Sequence, residues 1–175
     1  MSEAANASIH ASAVKVGERA VLIRGPSGAG KSRLAFDLIL AGRSGQLPTA
    51  TLVGDDRVRL DTVGRELFVR PVAELVGLIE IRGLGIRRTD FVGEALVGLV
   101  VDLAADDAER LPDPEALKTI ISGVSLPRIP VGKGFSPLPL VVAALTTTDS
   151  SCSRNLSDHC QKGIGNHISP TLATE

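Results

Sequence analysis

The sequence predicts an α/β domain in which a phosphate-binding loop is set on a mixed central β-sheet, and three observations carry that reading. Residues Gly25-Pro26-Ser27-Gly28-Ala29-Gly30-Lys31-Ser32 fit the Walker A pattern GxxxxGKS without mismatch. The apolar run Ala20-Val21-Leu22-Ile23 enters this stretch and Leu34-Ala35-Phe36-Asp37-Leu38-Ile39-Leu40 leaves it, a strand and then a helix. Residues 96–103 are apolar almost throughout, as in a strand buried on both faces, and residues 57–60 and 66–69 alternate like the arms of a hairpin.

Taken in order, residues 8–16 read as a strand, 17–19 as a tight turn, and 20–24 as the strand feeding the loop. The helix runs from near Lys31 to about Ala41, and residues 42–48, rich in Gly, Ser and Pro, form a flexible connection. Residues 51–53 make a short buried strand with Gly54-Asp55-Asp56 at its end, and residues 78–81 another short strand. Pro112 and Pro114 break the chain before an expected helix over 115–121, residues 125–130 are extended, and 138–145 close the domain as a helix. After about Thr146 the chain turns polar and loses its amphipathic period, so residues 1–147 are expected to form the domain and 148–175 a disordered tail. Cys152, His159, Cys160 and His167 are residue types that bind Zn²⁺. Adjacent His159-Cys160 departs from finger spacing, which favours a solvated tail over a metal site.

A chain of 175 residues can bury about two thirds of its unfolded surface in one core. The apolar 43% comes from Leu, Val, Ile and Ala, with four Phe and neither Trp nor Tyr, which provides poorly for base stacking. A net charge of −1 and no concentrated basic stripe argue against nucleic acid or a membrane surface as partner. No apolar stretch reaches the ~20 residues of a spanning helix and no secretory signal is visible, so a cytoplasmic location is expected, in keeping with two late cysteines.

The motif residues point to nucleoside triphosphate chemistry. Three glycines let consecutive backbone N–H groups turn inward to phosphate oxygens, Lys31 reaches the β/γ-phosphates, and the Ser32 hydroxyl suits Mg²⁺. The start of the helix adds its positive dipole end. Asp55 and Asp56 follow a strand, where acidic groups near a cation or a nucleophile sit in such folds. Glu80 lies within an otherwise apolar strand. Either it is buried against a cation or arginine, or it sits on a solvated strand face.

Several further motifs together resemble the catalytic domain of the HPr kinase/phosphorylase family. Glu80-Ile81-Arg82-Gly83-Leu84-Gly85-Ile86 looks like that family's signature, an acidic residue before RGxGI. Gly54-Asp55-Asp56-Arg57-Val58 is similar to its ADDRV strand end, and Ile9-His10 stands where the family has a histidine one strand before the phosphate loop. Val101-Asp102-Leu103 followed by Glu109-Arg110-Leu111 resembles a later segment that ends in a functional arginine. The likeness spans roughly residues 8–145 and suggests the short, catalytic-domain-only form found in alphaproteobacteria.

The resemblance implies a P-loop kinase fold like that of phosphoenolpyruvate carboxykinase and an Mg·ATP-dependent protein-serine kinase acting on the phosphocarrier protein HPr of the phosphotransferase system. It implies Asp56 as general base and Asp55 as an auxiliary that helps hold the metal or water. Ser32 and Glu80 would be the Mg²⁺ contacts, with Lys31 and Arg110 neutralising the transferred phosphoryl group and His10 orienting phosphate or tuning Asp56. It also suggests a homo-oligomer, a hexamer. The family's PGRN-like element, tied to reverse phosphorolysis, is matched at best by Pro130-Val131-Gly132-Lys133-Gly134, so the forward reaction is the expected one. For Arg110 a surface pairing with Asp106 or Asp107 stays open, and for His10 a structural role. A small-molecule kinase and a non-catalytic ATP-sensing module remain as alternative functions.

Overall fold

The computed structural model describes residues 8–148. Its elements are β1 (Ser12–Val16), β2 (Arg19–Arg24), α1 (Lys31–Arg43), β3 (Ala50–Gly54), β4 (Val58–Val63), β5 (Glu66–Pro71), a 3₁₀ turn (Ala73–Leu75), β6 (Leu78–Ile81), β7 (Gly85–Arg88), β8 (Ala95–Leu103), β9 (Lys118–Ile121), β10 (Val124–Val131) and α2 (Pro137–Thr146). The tail from residue 149, with the four Cys and His residues, lies outside the described residues. Among the described residues no helix is long and apolar enough to cross a membrane.

The main sheet is mixed, as expected. Its order is β3-β1-β2-β8-β10-β9, with parallel pairing of β2 and β10 to β8 and antiparallel pairing elsewhere. One edge of β8 follows β2 from Leu96 to Asp102. The other edge is shared, with β5 against Ala95 and Leu96 and β10 against residues 100–103. Gly98 is an extra residue in β8, since Ala20 pairs with Val97 and Val21 with Leu99. A Cβ there would fall 2.7 Å from the Arg19 side chain, so the bulge needs glycine.

Two apolar layers sandwich this sheet. Val21 and Ile23 of β2 and Leu99, Val101 and Leu103 of β8 face α1, meeting Leu34, Leu38 and Ile39. Ala20 and Leu22, with Val97 and Val100, face the opposite layer with Leu67 and Val69 of β5 and Val58 of β4. A strand covered on both faces must be apolar at successive positions, which is why residues 96–103 lack alternation.

The structure corrects the expected helix over 115–121. Residues 114–117 form a turn, and Lys118–Ile121 is the strand β9, paired with β10 as Ile121↔Val124 through Lys118↔Pro127. The two connecting residues, Ser122 (φ 50°) and Gly123 (φ 79°), both take left-handed backbone, as a tight type I′ hairpin turn requires. The β-branched Thr119, Ile120 and Ile121 suit this ladder better than a helix. The strand expected from residue 8 begins at Ser12, with Ile9 held by a bridge to Val58. Residues 78–81 do form a strand, but in a separate two-stranded sheet with β7, so the RGxGI stretch is a hairpin.

Candidate active site

The loop between β2 and α1 opens where β2 ends beside β8. Gly25 (φ 145°), Gly28 (φ 78°) and Gly30 (φ 97°) all have positive φ, which lets the chain curl and present its N–H groups inward. Around Gly28 and Gly30 a Cβ would meet nothing within 4 Å, so the cradle is open on that side. At Gly25 it would sit 2.8 Å from the Leu103 carbonyl oxygen, which sets the close approach of loop to β8. Pro26 and Ser27 are exposed at the tip, and Ala29 donates its N–H to Pro26 O. Gly30 caps α1 without any side-chain acceptor. The first N–H groups of the helix therefore have no side-chain cap and suit an anion.

Lys31 is buried, and its Nζ donates to the carbonyl oxygens of Gly25 and Pro26 at 3.0 Å each. Burial pushes its pKa down, while the charges of Asp56 and Asp55 act in the opposite direction. Those two carboxylates thus bear on the cradle lysine. Ser32 follows in the first turn of α1, half-buried.

The two aspartates differ sharply in setting. Asp55 is buried and accepts a 2.5 Å hydrogen bond from Ser12 Oγ and another, at 3.0 Å, from the Glu80 N–H. Asp56 is exposed and holds a left-handed backbone (φ 63°), uncommon outside glycine and enriched at functional sites. His10 Nε2 lies 3.4 Å from Asp56 Oδ1, within ion-pair range of a protonated imidazole. The Ile9–Val58 bridge, with hydrogen bonds in both directions, brings His10 there.

Glu80 is exposed on β6, opposite Ile86 of β7, so of the two readings left open the solvated strand face is the one observed, and the buried carboxylate with a cationic partner is not. Strands of a small two-stranded sheet keep one face in water, so the side chain is solvated and only its backbone is pinned to Asp55. Arg110 is exposed in the connection between β8 and β9 and makes no ion pair among the described residues. The pairing with Asp107 left open by the sequence goes instead to Arg128.

Arg24 and Arg128, which sequence reasoning passed over, join Asp102 and Asp107 in a network behind the loop. Arg24 grips Asp102 with two hydrogen bonds, Nε to Oδ1 at 2.7 Å and Nη2 to Oδ2 at 2.8 Å. Arg128 Nε donates to Asp102 Oδ2 at 2.5 Å, and its Nη1 and Nη2 fork onto Asp107 at 2.6 and 3.0 Å. Burial pushes Asp102 up, but the hydrogen bonds and charges of Arg24 and Arg128 outweigh it and hold the carboxyl below the usual range. The visible signal was charge at the ends of apolar strands: Arg24 closes β2, and Asp102 is its partner in register near the end of β8.

No cluster of three or more His, Cys, Asp or Glu side chains is gathered among the described residues. A cation bound beside this loop would draw its remaining ligands from a bound phosphate, the usual habit of Mg²⁺.

The profile of the family described as "HPr Serine kinase C-terminal domain" matches residues 2–153. The chain is 33% identical over 165 residues to an HPr kinase/phosphorylase of an Exiguobacterium species, an alignment covering 86% of this chain and 51% of that protein. It is 37% identical over 143 residues to one of an Azoarcus species, covering 73% and 43%. The chain spans about half the length of the curated relatives it matches. The solved structure of the Hpr(Ser) kinase/phosphatase from Coxiella burnetii superposes with a TM-score of 0.63 at 27% identity, covering 79% of this chain and 93% of that one.

Replacing Gly25 with Ala is expected to cost about 1–3 kcal/mol of stability, through strain at its positive φ and the clash with Leu103 O. Chemical denaturation would read this loss, and wild-type stability would contradict the assigned close approach. Asp102 has a depressed pKa when folded, so its contribution is full above the ordinary carboxylate value of about 3.9 and is lost as pH falls through the lower folded value. Asp102→Asn should therefore be less stable at neutral pH and lose less on acidification. Parallel stability curves for variant and wild type would overturn this.

Proposed function

The chain belongs to the HPr serine kinase C-terminal domain family, and from that premise we propose that it transfers the γ-phosphoryl group of Mg·ATP to a serine of the phosphocarrier protein HPr. One observation supports this above the others: a chain with a glycine-turned phosphate loop also presents, at the end of β3, an exposed Asp56 in left-handed backbone with His10 at 3.4 Å. The relatives are named HPr kinase/phosphorylase, and this reading carries the kinase half of that name to the present chain.

A serine hydroxyl is a weak nucleophile and must lose its proton as it attacks. Asp56 accepts that proton, and His10 at 3.4 Å holds the carboxylate toward the acceptor. A new bond forms between the serine oxygen and the γ-phosphorus while the bond to the β,γ-bridging oxygen breaks, leaving ADP. The glycine turns and the uncapped start of α1 hold the phosphates. Lys31 gives up its contacts to Gly25 O and Pro26 O and turns its ammonium to the γ-phosphate, where the spreading negative charge is greatest. Ser32, with Glu80 and Asp55 at the neighbouring edge, is the residue set that would hold Mg²⁺, whose charge would neutralise the β- and γ-oxygens. Arg110 meets the transferred group from the side opposite Lys31.

The test is incubation with labelled ATP and purified HPr. Label on an HPr serine is expected, and Asp56→Asn should lower kcat by about 10²–10⁴ with ATP affinity unchanged. Label only on small acceptors, or a variant as fast as wild type, would overturn the reading.

A further inference from the structure

We propose that Arg128 and Asp107 are positioning residues for Arg110: one guanidinium clamps both ends of the connection that carries Arg110 and so sets where that arginine stands. The inference rests on the reading of Arg110 as the arginine that meets the transferred phosphoryl group. The segment leaves β8 at Leu103, immediately beside Gly25 of the phosphate loop, and turns at once, since Ala104 has φ 55°. It returns to the sheet at Lys118, so Arg110 lies midway along a long irregular stretch. Such a stretch does not hold a side chain in place unless something ties it down.

Arg128, on β10, supplies the tie. Its fork takes both oxygens of Asp107, three residues before Arg110, and the same Nη1 donates to Ala116 O at 2.9 Å on the far side of the segment. Its backbone N–H bonds Leu117 O at 2.8 Å. The third arm, Nε to Asp102, fixes the guanidinium against β8 and, through Arg24, against the strand that feeds the phosphate loop. Arg128 is only 14% exposed, so the fork is shielded from competing water. Asp107 is 52% exposed, so the contact can be severed at the surface without opening the core. A planar, five-donor fork is what this geometry uses, and a lysine cannot reproduce it.

The experiment compares wild type, Asp107→Asn, Arg128→Lys, Arg110→Ala and the Asp107→Asn/Arg110→Ala double variant in HPr phosphorylation. Asp107→Asn and Arg128→Lys should each lower kcat by about tenfold or more with KM for ATP within about twofold, as expected for a misplaced transition-state contact. In the Arg110→Ala background Asp107→Asn should cost nothing further. Wild-type kcat in Asp107→Asn, or costs that multiply in the double variant, would overturn the proposal. Hydrogen exchange over residues 104–117 needs no acceptor and reads the clamp separately from the phosphoryl transfer. Faster exchange in Asp107→Asn upholds the clamp even if wild type fails to phosphorylate HPr, which would sink the kinase reading, and unchanged exchange refutes the clamp itself.

Discussion

The buried carboxylate of Asp55 is the constraint on which the rest of the site depends. A charge out of water must be met by donors, and here the donors come from two distant parts of the chain: the Ser12 hydroxyl on β1 and the Glu80 N–H on β6. Satisfying that one group joins the sheet to the β6–β7 hairpin and fixes the turn after β3. Asp56, the next residue, is thereby thrown outward in a strained conformation beside His10. No buried side-chain nitrogen or oxygen among the described residues lacks a partner, so the arrangement leaves no unmet polar cost.

A second anchor stands on the other side of the phosphate loop. Asp102 gathers Arg24 and Arg128, tying the ends of β2 and β8 to the middle of β10 just where the loop begins. The loop is thus flanked by two carboxylates, each joining separate strands. Glycine permits the curl of the loop and Leu103 limits it. Lys31 is folded onto the carbonyl oxygens of its own loop.

Much of this was legible in the chain because its signals are local. The Walker A stretch specifies its own strand-loop-helix setting, and the alternation around residues 57–69 specifies a hairpin. The unbroken apolar run of β8 points to burial on both faces. What escaped was non-local. Residues 115–121 contain a passable helical stretch, and only the Ser122-Gly123 turn and pairing with β10 make the last four a strand. Glu80 read as anomalous in an apolar strand because nothing in the sequence tells that β6 leaves the main sheet. The Arg24, Asp102, Arg128 and Asp107 network pairs charges up to 78 positions apart, and ion-pair partners at that separation carry no short-range pattern.

The proposed transfer requires the terminal phosphate of a bound nucleotide to lie between the Lys31 ammonium and the Asp56 carboxylate. A crystal structure of the chain with Mg²⁺ and a non-hydrolysable ATP analogue tests this most directly. The account predicts Lys31 Nζ released from Gly25 O and Pro26 O and bonded to the γ-phosphate, with Asp56 facing that phosphate across a gap that admits a hydroxyl. A nucleotide seated elsewhere, or an Asp56 turned away from the phosphates, would contradict it.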